Sequence, residues 1–391
     1  MTFPPPSPSG PPPLMDLLYS ELETSLRDSV RSAIARRSPI DAVLRSVEAA
    51  APYDVELWRT LAVDMGLAGM AVPERHGGSG ATPREAAVVL EELGRGMAAV
   101  PFLTSAVVAT AALTACGEAD LRRSPPPRSF LARSSAPDLL AKLATGQTVA
   151  ALAVPFASGP GFAPSVTVDG DRLTGRVGSV AGALGADVLL VPTATGLYTV
   201  DAGAEGVTRT PVVSLDLTRP LADLTFQSAA GRSVAAGEAG AAAVAAALTA
   251  GAALLASEQL GVAEWCLSTT VEYVKIRHQF GRPVGSFQAL KHRLADVWAD
   301  VTQARAVARY AAGCAAEGDP DLAVAASLAQ AFCSPVAVRA AEECVQMHGG
   351  IGFTWEHPAH LFLKRAKSAA IAYGTADRHR LALGALVDLT P

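Results

Sequence analysis

The chain has 391 residues, half of them apolar and 18% charged, which fits a globular protein of two or three layered units and excludes disorder throughout. Its formal net charge of −5 offers no basic surface to a nucleic acid and is the modest acidic balance of many cytoplasmic enzymes. Five cysteines, an odd number with no C-x-x-C pair, read as free thiols of a reducing compartment that serve as small core residues.

Residues 1–13 hold seven prolines and no basic stretch, which predicts a disordered tail rather than a targeting segment. Leu14 to Val47 has helical spacing, with Leu17, Leu18, Leu22, Leu26 and Val30 set among charged residues. A further helix is expected from about Asp54 to Met65, with Gly66 suited to its C-cap. The glycine-rich run Gly69 to Gly80 is followed by neither a strand nor a Lys-Ser/Thr pair, so it is not a P-loop. Helical pattern continues through Pro101 to Leu113. Cys116 to Ser135 reads as a polar, Pro-rich surface connection.

From about Leu139 the period shortens. Val149–Val154, Ser165–Val168, Arg172–Val177, Val188–Val191, Gly196–Val200 and Leu224–Phe226 are short apolar or alternating runs, with a hairpin signal at Asp169-Gly170. Strands of this spacing predict a β-sandwich or barrel-like unit. From Ala239 the chain returns to helix. Ala239 to Ala256 is uncharged over 18 residues, near the length of a membrane span, but alanine is weakly hydrophobic and the aromatic and basic flanks of an anchored span are missing. It reads as the start of a tightly packed helix.

The stretch Tyr273 to Asp296 breaks at Gly281-Arg282-Pro283 and resumes as helix from about Phe287. On helical spacing Tyr273, Arg277 and Phe280 fall at i, i+4 and i+7 and share a face. A guanidinium fork beside aromatic rings can pair with a pyrophosphate and stack on an adenine. The same spacing also suits a surface ion pair and a core phenylalanine. His357-Pro358-Ala359-His360 is no metal site, since Pro358 interrupts a helix and no carboxylate or thiol cluster adjoins.

The run R-x-Q-F-G-R-P-V-x-x-F-Q-A-L-K-H-x-L-A-D, from Arg277, resembles the signature of the acyl-CoA dehydrogenase family, flavoenzymes that desaturate CoA thioesters. Val345 to Thr354 is similar to that family's Q-x-x-G-G-x-G-[FY]-[ST] loop. Leu57-Trp58, the Pro73-Glu74 to Gly78 turn and Leu90 to Arg95 resemble its N-terminal domain, and Ser214 to Asp223 also matches. The resemblance implies an α+β fold: after the tail, an N-terminal helical domain over 14–138, a small β-domain over 139–235 and a C-terminal four-helix bundle over 236–391. It implies FAD as cofactor. Arg277 and Phe280 would meet the pyrophosphate and adenine side across a subunit interface, and Gln288 would touch the same dinucleotide. Gln346, Gly349 and Gly350 would form the closing loop, while Thr375 and Asp377 would reach the flavin.

Desaturation removes an α proton and transfers a β hydride, and no side chain can accept the hydride. The base should be a buried carboxylate, with donors on the thioester carbonyl stabilising the enolate-like charge. In most relatives that carboxylate precedes Gly-Thr, where this chain has Tyr373, a phenol with a pKa of about 10. In others it lies on the helix before R-x-Q-F-G, at the position of Gly251. Glu258 lies two turns on, about 10 Å away, and reads either as a substitute base or as a buried structural carboxylate. Asp377 is the other candidate. The family's T-E-P-x-x-G-S-D loop is replaced by Ala153 to Pro160, and the Trp of its next strand is absent around Arg176 to Val180.

The expectation is a cytoplasmic acyl-CoA dehydrogenase-type subunit of a heteromeric enzyme, a heterotetramer or homotetramer, whose homologous partner supplies the base. Its substrate would be a bulky or ring-bearing CoA ester of lipid or steroid catabolism, with electrons leaving to an electron-transfer acceptor and no nucleic acid or membrane involved. The alternatives are a stand-alone dehydrogenase using Glu258 or Asp377, and a flavin-free acyl-CoA-binding scaffold.

Overall fold

The structure is a computed structural model that describes residues 15–47, 51, 53–122, 136–159 and 161–389. The proline-rich tail and most of the polar connection expected before Ser135 lie outside the described residues.

Helix α1 (Glu21–Arg37) opens on a capping box: Ser20 Oγ accepts from Glu23 N at 3.1 Å and the Glu23 carboxylate accepts from Ser20 N at 2.7 Å. The single helical run expected to Val47 is two helices, because Pro39 has no N–H to continue the ladder and α2 (Ile40–Ser46) starts after it. Helix α3 (Val55–Arg59) runs into a π-helical turn over Thr60–Asp64 and stops at Gly66, whose φ of 70° is left-handed. Helix α4 (Pro83–Arg95) has its own capping box, from Thr82 and Glu85. A π-helical stretch, Phe102–Ala109, leads into α5 (Thr110–Arg122). Cys116 is therefore a buried helical residue and not part of a polar connection. Helix α6 (Ala136–Ala144) buries Ala136, Leu139, Leu140 and Leu143, so the change to strand comes at Ala150 and not near Leu139.

The strands are β1 (Ala150–Leu152), β2 (Thr167–Asp169), β3 (Arg172–Ala181), β4 (Val188–Thr193), β5 (Gly196–Asp201), β6 (Val207–Val212), β7 (Leu221–Ala230) and β8 (Arg232–Ala236). They form two four-stranded sheets, in the orders β1-β4-β5-β8 and β2-β3-β7-β6, over a core that includes Leu173, Val177, Leu189, Val191, Leu224 and Phe226. The hairpin at Asp169-Gly170 is present, with Asp169 opposite Arg172. The pattern of short runs missed β6 and β8. Both are edge strands, and β6 carries Pro211 and no buried residue, so neither has the apolar alternation that marks a strand.

The C-terminal part is α7 (Gly237–Ile276), a two-stranded hairpin of β9 (His278–Gln279) and β10 (Arg282–Pro283), α8 (Gln288–Glu317), α9 (Leu322–His348), α10 (Ala359–Ala369) and α11 (Ala376–Leu386). Helices, then small sheets, then helices give the α+β order expected. Helices α7 and α9 are long and apolar enough to cross a membrane, but 61% and 56% of their apolar windows are buried inside the protein, as in core helices. Where α4 crosses α7 the backbones touch. A Cβ on Gly94 would lie 2.2 Å from the Glu258 carbonyl oxygen, and one on Gly261 would lie 1.9 Å from that of Glu91. This crossing fixes the side chain of Glu258 beneath the N-terminal helices.

Candidate functional site

The residues expected to hold a dinucleotide gather at one end of the α7–α9 pair. Tyr273, Arg277 and Phe280 do not share a helical face, because α7 stops at Ile276. Arg277 is extended, with φ −73° and ψ 122°, and Phe280 sits in the β9–β10 turn with φ 54° ahead of Gly281 at 74°. That turn replaces the second half of the helical face and swings the phenyl ring outward. Phe280 is 89% exposed and meets Phe287 edge-on at 6.1 Å, while the Arg282 guanidinium lies 3.9 Å over the Phe287 ring. The Arg277 side chain is exposed, with no hydrogen bond or ion pair among the described residues. Gln288, in the first turn of α8, is exposed too, as are Gln346, Gly349 and Gly350 at the end of α9.

What joins the hairpin to the α9 loop is a pair of rings that the sequence reading missed. Tyr273 stacks on His348 at 4.3 Å and its hydroxyl donates to the His348 carbonyl oxygen at 3.4 Å. The stack continues to His357, 4.2 Å from His348. The spacing of Tyr273 on α7 gave its orientation, but its partner is 75 residues away in sequence.

The position expected to carry the base is closed. Tyr373 is 3% exposed with φ 55°; its N–H donates to the Phe156 carbonyl at 2.9 Å, and its own carbonyl accepts from His379 Nε2 at 3.0 Å. Its ring packs edge-on against Phe156 at 5.6 Å, and a Cβ on Gly251 would fall 2.9 Å from the ring's Cζ. The two positions at which relatives would place a carboxylate thus touch each other. Burial pushes the phenol well above its ordinary pKa, so it cannot take a proton from an α carbon at neutral pH. On the other side, a Cβ on Gly159 would lie 2.6 Å from the Tyr373 carbonyl oxygen. The cavity left between Thr104, Val108, Phe156 and Tyr373 measures 10 Å³, too little for more than one water. The 153–159 segment and residues 373–374 are in direct contact, and an isoalloxazine ring does not fit between them.

Glu258 is 2% exposed and held by two cations, with Arg219 Nη2 at 2.5 Å and Arg365 Nη1 at 3.0 Å. Arg365 in turn pairs with Asp216 at 2.8 Å and donates to Thr218 Oγ1 at 2.5 Å. Burial alone would raise the Glu258 pKa, but the Arg219 and Arg365 guanidiniums outweigh it and hold the carboxyl below its ordinary range. A carboxylate so paired is a poor proton acceptor. It ties the β6–β7 segment to α7 and α10. Arg219, Arg365 and Asp216 were not singled out from the sequence; a charge inside the apolar run Leu361-Phe362-Leu363-Lys364-Arg365-Ala366 was the available signal.

Thr375 and Asp377 stand with Tyr373 at the start of α11. Thr375 Oγ1 caps the helix, accepting from Arg378 N at 3.4 Å. The Asp377 side chain is 87% exposed and pairs with Arg380 at 2.6 Å, so it lacks the dry surroundings a base of this kind needs. Among the described residues no group of three or more His, Cys, Asp or Glu side chains is arranged to hold a metal ion. All five cysteines are buried.

Two family models match: acyl-CoA dehydrogenase, N-terminal domain, over residues 20–128, and acyl-CoA dehydrogenase, C-terminal domain, over residues 238–387. Acyl-CoA dehydrogenase IpdE2 of Mycobacterium tuberculosis is 36% identical over 345 residues, which cover 88% of this chain and 91% of the relative. Among solved structures, the ChsE4-ChsE5 complex of the same organism matches with TM-score 0.82 and 28% identity, covering 96% of this chain and 100% of that one. A variant of the Tcur3481-Tcur3483 steroid acyl-CoA dehydrogenase matches with TM-score 0.79 and 31% identity, covering 94% and 98%. With both end domains matched and the whole length shared with such relatives, the chain belongs to the acyl-CoA dehydrogenase family, oxidoreductases acting on CH–CH donors.

Proposed function

We propose that this chain is the base-less subunit of a heteromeric acyl-CoA dehydrogenase and supplies part of the FAD site to a homologous partner that supplies the catalytic carboxylate. The observation that carries the reading is the contact of Tyr373 with Gly251, which leaves no carboxylate at either usual position. The dinucleotide half of FAD fits the residues present. Arg277 offers an unpaired guanidinium, Phe280 and Phe287 offer ring surface, Gln288 and Gln346 offer amides, and Gly349 and Gly350 put no side chain between the loop backbone and a phosphate or ribose. Their exposure suits a ligand shared across an interface. When bound, FAD supplies the hydride acceptor that no side chain can provide. The isoalloxazine half does not fit between the 153–159 segment and Tyr373 of this chain.

The partner reading draws support from two matched structures that are themselves complexes of two differently named chains, one of them described as a steroid acyl-CoA dehydrogenase. A CoA ester of a bulky, ring-bearing acid in the cytoplasm is the corresponding substrate, and the electrons pass on to an electron-transfer protein. Thr375 and Asp377, beside Tyr373 at the start of α11, would approach the flavin from the same end of this chain.

Flavin content and acyl-CoA-dependent bleaching test the proposal, measured on the purified chain alone and then co-expressed with a family member encoded beside it. Stable flavin and bleaching in the mixture only are expected. Bleaching by the chain alone sinks the proposal and returns Glu258 and Asp377 as bases. Absence of flavin from both preparations favours a scaffold.

A further inference from the structure

The loop from Gly349 to Glu356 leads from α9 toward α10 and contains the glycines read as part of the dinucleotide surface. It leaves α9 at Gly349, whose φ of 64° and ψ of −141° suit glycine and few other residues. With Gly350 and Gly352 also in it, its backbone has more freedom to lose than a loop of larger residues. Among the described residues its hydrogen bonds stay within the loop or at its junction with α9: Gly349 N donates to the Gln346 carbonyl, Thr354 N to the Ile351 carbonyl at 3.1 Å and Glu356 N to Thr354 Oγ1 at 3.3 Å. None of these bonds ties it to α7.

Rings make that tie. The loop is closed at its base by His348 and His357, whose rings lie 4.2 Å apart. Helix α7 supplies a ring neighbour to each, Trp265 and, about two turns later, Tyr273. Tyr273 stacks on His348 at 4.3 Å, and Trp265, itself stacked on Phe362 of α10 at 3.6 Å, lies 6.2 Å from His357. Phe362, Trp265, His357, His348 and Tyr273 thus form one column that runs from α10 past the base of the loop to the end of α7. On the outer side Trp355 meets His360 edge-on at 4.6 Å, a contact local in sequence that does not reach α7. Tyr273 also touches the other half of the dinucleotide surface, because its carbonyl accepts from Arg277 N at 2.9 Å.

We infer that Tyr273 is a positioning residue for the dinucleotide surface: through His348 and His357 its ring fixes the Gly349–Glu356 loop against the end of α7, in register with Arg277. The inference rests on the reading of Gln346, Gly349 and Gly350 as a dinucleotide loop and adds what sets that loop in place. A loop ordered beforehand loses less freedom when its ligand arrives, so the column strengthens the hold on a ligand it does not touch. The ring does this, since the Tyr273 hydroxyl contributes a single long hydrogen bond, of 3.4 Å, to the His348 carbonyl.

Two readouts test it: hydrogen–deuterium exchange of the full-length chain, and flavin retained by its complex with the partner during serial dilution. Tyr273→Phe keeps the ring and Tyr273→Leu removes it. Leucine should speed exchange of the 349–356 amides and weaken flavin retention by about fivefold or more each, the scale of one ring pair with the area it buries, and leave exchange in α8 unchanged. Phenylalanine should stay within about twofold of the parent in both, since it keeps the stack. His357→Leu removes the ring at the other side of the loop base and should act in the same direction, which keeps the test intact if Tyr273→Leu fails to fold. Arg277→Ala should lose flavin with no change in loop exchange. Loop exchange untouched by both leucine variants, equal effects of phenylalanine and leucine at 273, or faster exchange spread over the whole chain overturns the inference. Faster loop exchange with undiminished flavin retention also overturns it, while loss of flavin in Arg277→Ala would leave the flavin reading standing. A parent complex without flavin fails that reading instead, whatever the loop amides do.

Discussion

The phenol ring of Tyr373 rests on the bare backbone of Gly251, with the ring's Cζ 2.9 Å from where a Cβ on that glycine would be. Phe156 stands on another side of the ring at 5.6 Å and limits where it can move. Gly251→Ala should therefore cost about 1–3 kcal/mol, the usual range for overpacking a core. In a Tyr373→Leu background the same change should cost less than about 0.5 kcal/mol, as for independent sites. Urea unfolding of the four proteins measures the coupling. Additive costs would mean that the ring and the glycine are not in contact in solution.

Glu258→Gln separates the structural role of that carboxylate from a catalytic one. The substitution leaves Arg219 and Arg365 buried with too little negative charge, and losing one partner of a buried pair costs about 3–5 kcal/mol. Folded complex that survives should turn over as before. The folded-state pKa of Glu258 is depressed, so its contribution to stability is complete above the ordinary carboxylate value of 4.5 and lost as pH falls below it. Unfolding free energies of the parent and variant, measured in urea at a series of pH values, should converge at low pH. A variant that keeps its stability but loses acyl-CoA bleaching would instead make Glu258 the base.

Much of the fold was legible because its signals are local. Gly66 marks a helix stop and Asp169-Gly170 marks a hairpin. Where the sequence misled, a local pattern was read too far. The i, i+4, i+7 spacing of Tyr273, Arg277 and Phe280 is helical, but the chain leaves the helix at Ile276 and uses a positive φ at Phe280 to turn. Edge strand β6 has no buried residue to reveal it, and β8 buries only the adjacent pair Val234 and Ala235, which do not alternate. The closure of the site depends on residues 122 positions apart, Gly251 and Tyr373, and no local pattern contains that contact. The Arg219–Glu258–Arg365–Asp216 network is equally nonlocal: Glu258 reads as a buried carboxylate from its own surroundings, but its two cations lie 39 and 107 residues away.

His357 gives the chain a pH response on the acid side of neutrality. Burial, with His348 and His360 nearby, pushes its pKa down to about 4 from an ordinary 6.5. The unfolded chain binds this proton more readily, so stability is complete above pH 6.5 and falls as pH drops toward 4. His360 and His379 are shifted the same way by burial and add to the slope. His357→Gln cannot titrate and should flatten part of the decline in melting temperature between those limits. Identical slopes in parent and variant would show that His357 is solvated in the folded protein.

Arg277 tests the dinucleotide surface without disturbing the core. Its side chain is exposed and has no hydrogen-bond or ion-pair partner among the described residues, so Arg277→Ala should leave the stability of the chain within about 0.5 kcal/mol. If the guanidinium meets the pyrophosphate of FAD, its loss removes charge-assisted hydrogen bonds worth about 1.5–3 kcal/mol, which is roughly a ten- to hundredfold weaker hold on the flavin. Arg277→Lys keeps the charge but not the planar fork and should fall between the two. Flavin retained by the complex with its partner during serial dilution reads the effect directly. Unchanged retention in Arg277→Ala would remove this residue from the FAD site. Loss of retention in Arg277→Ala with full rescue by lysine would mean that a point charge suffices and that the bidentate geometry is not used.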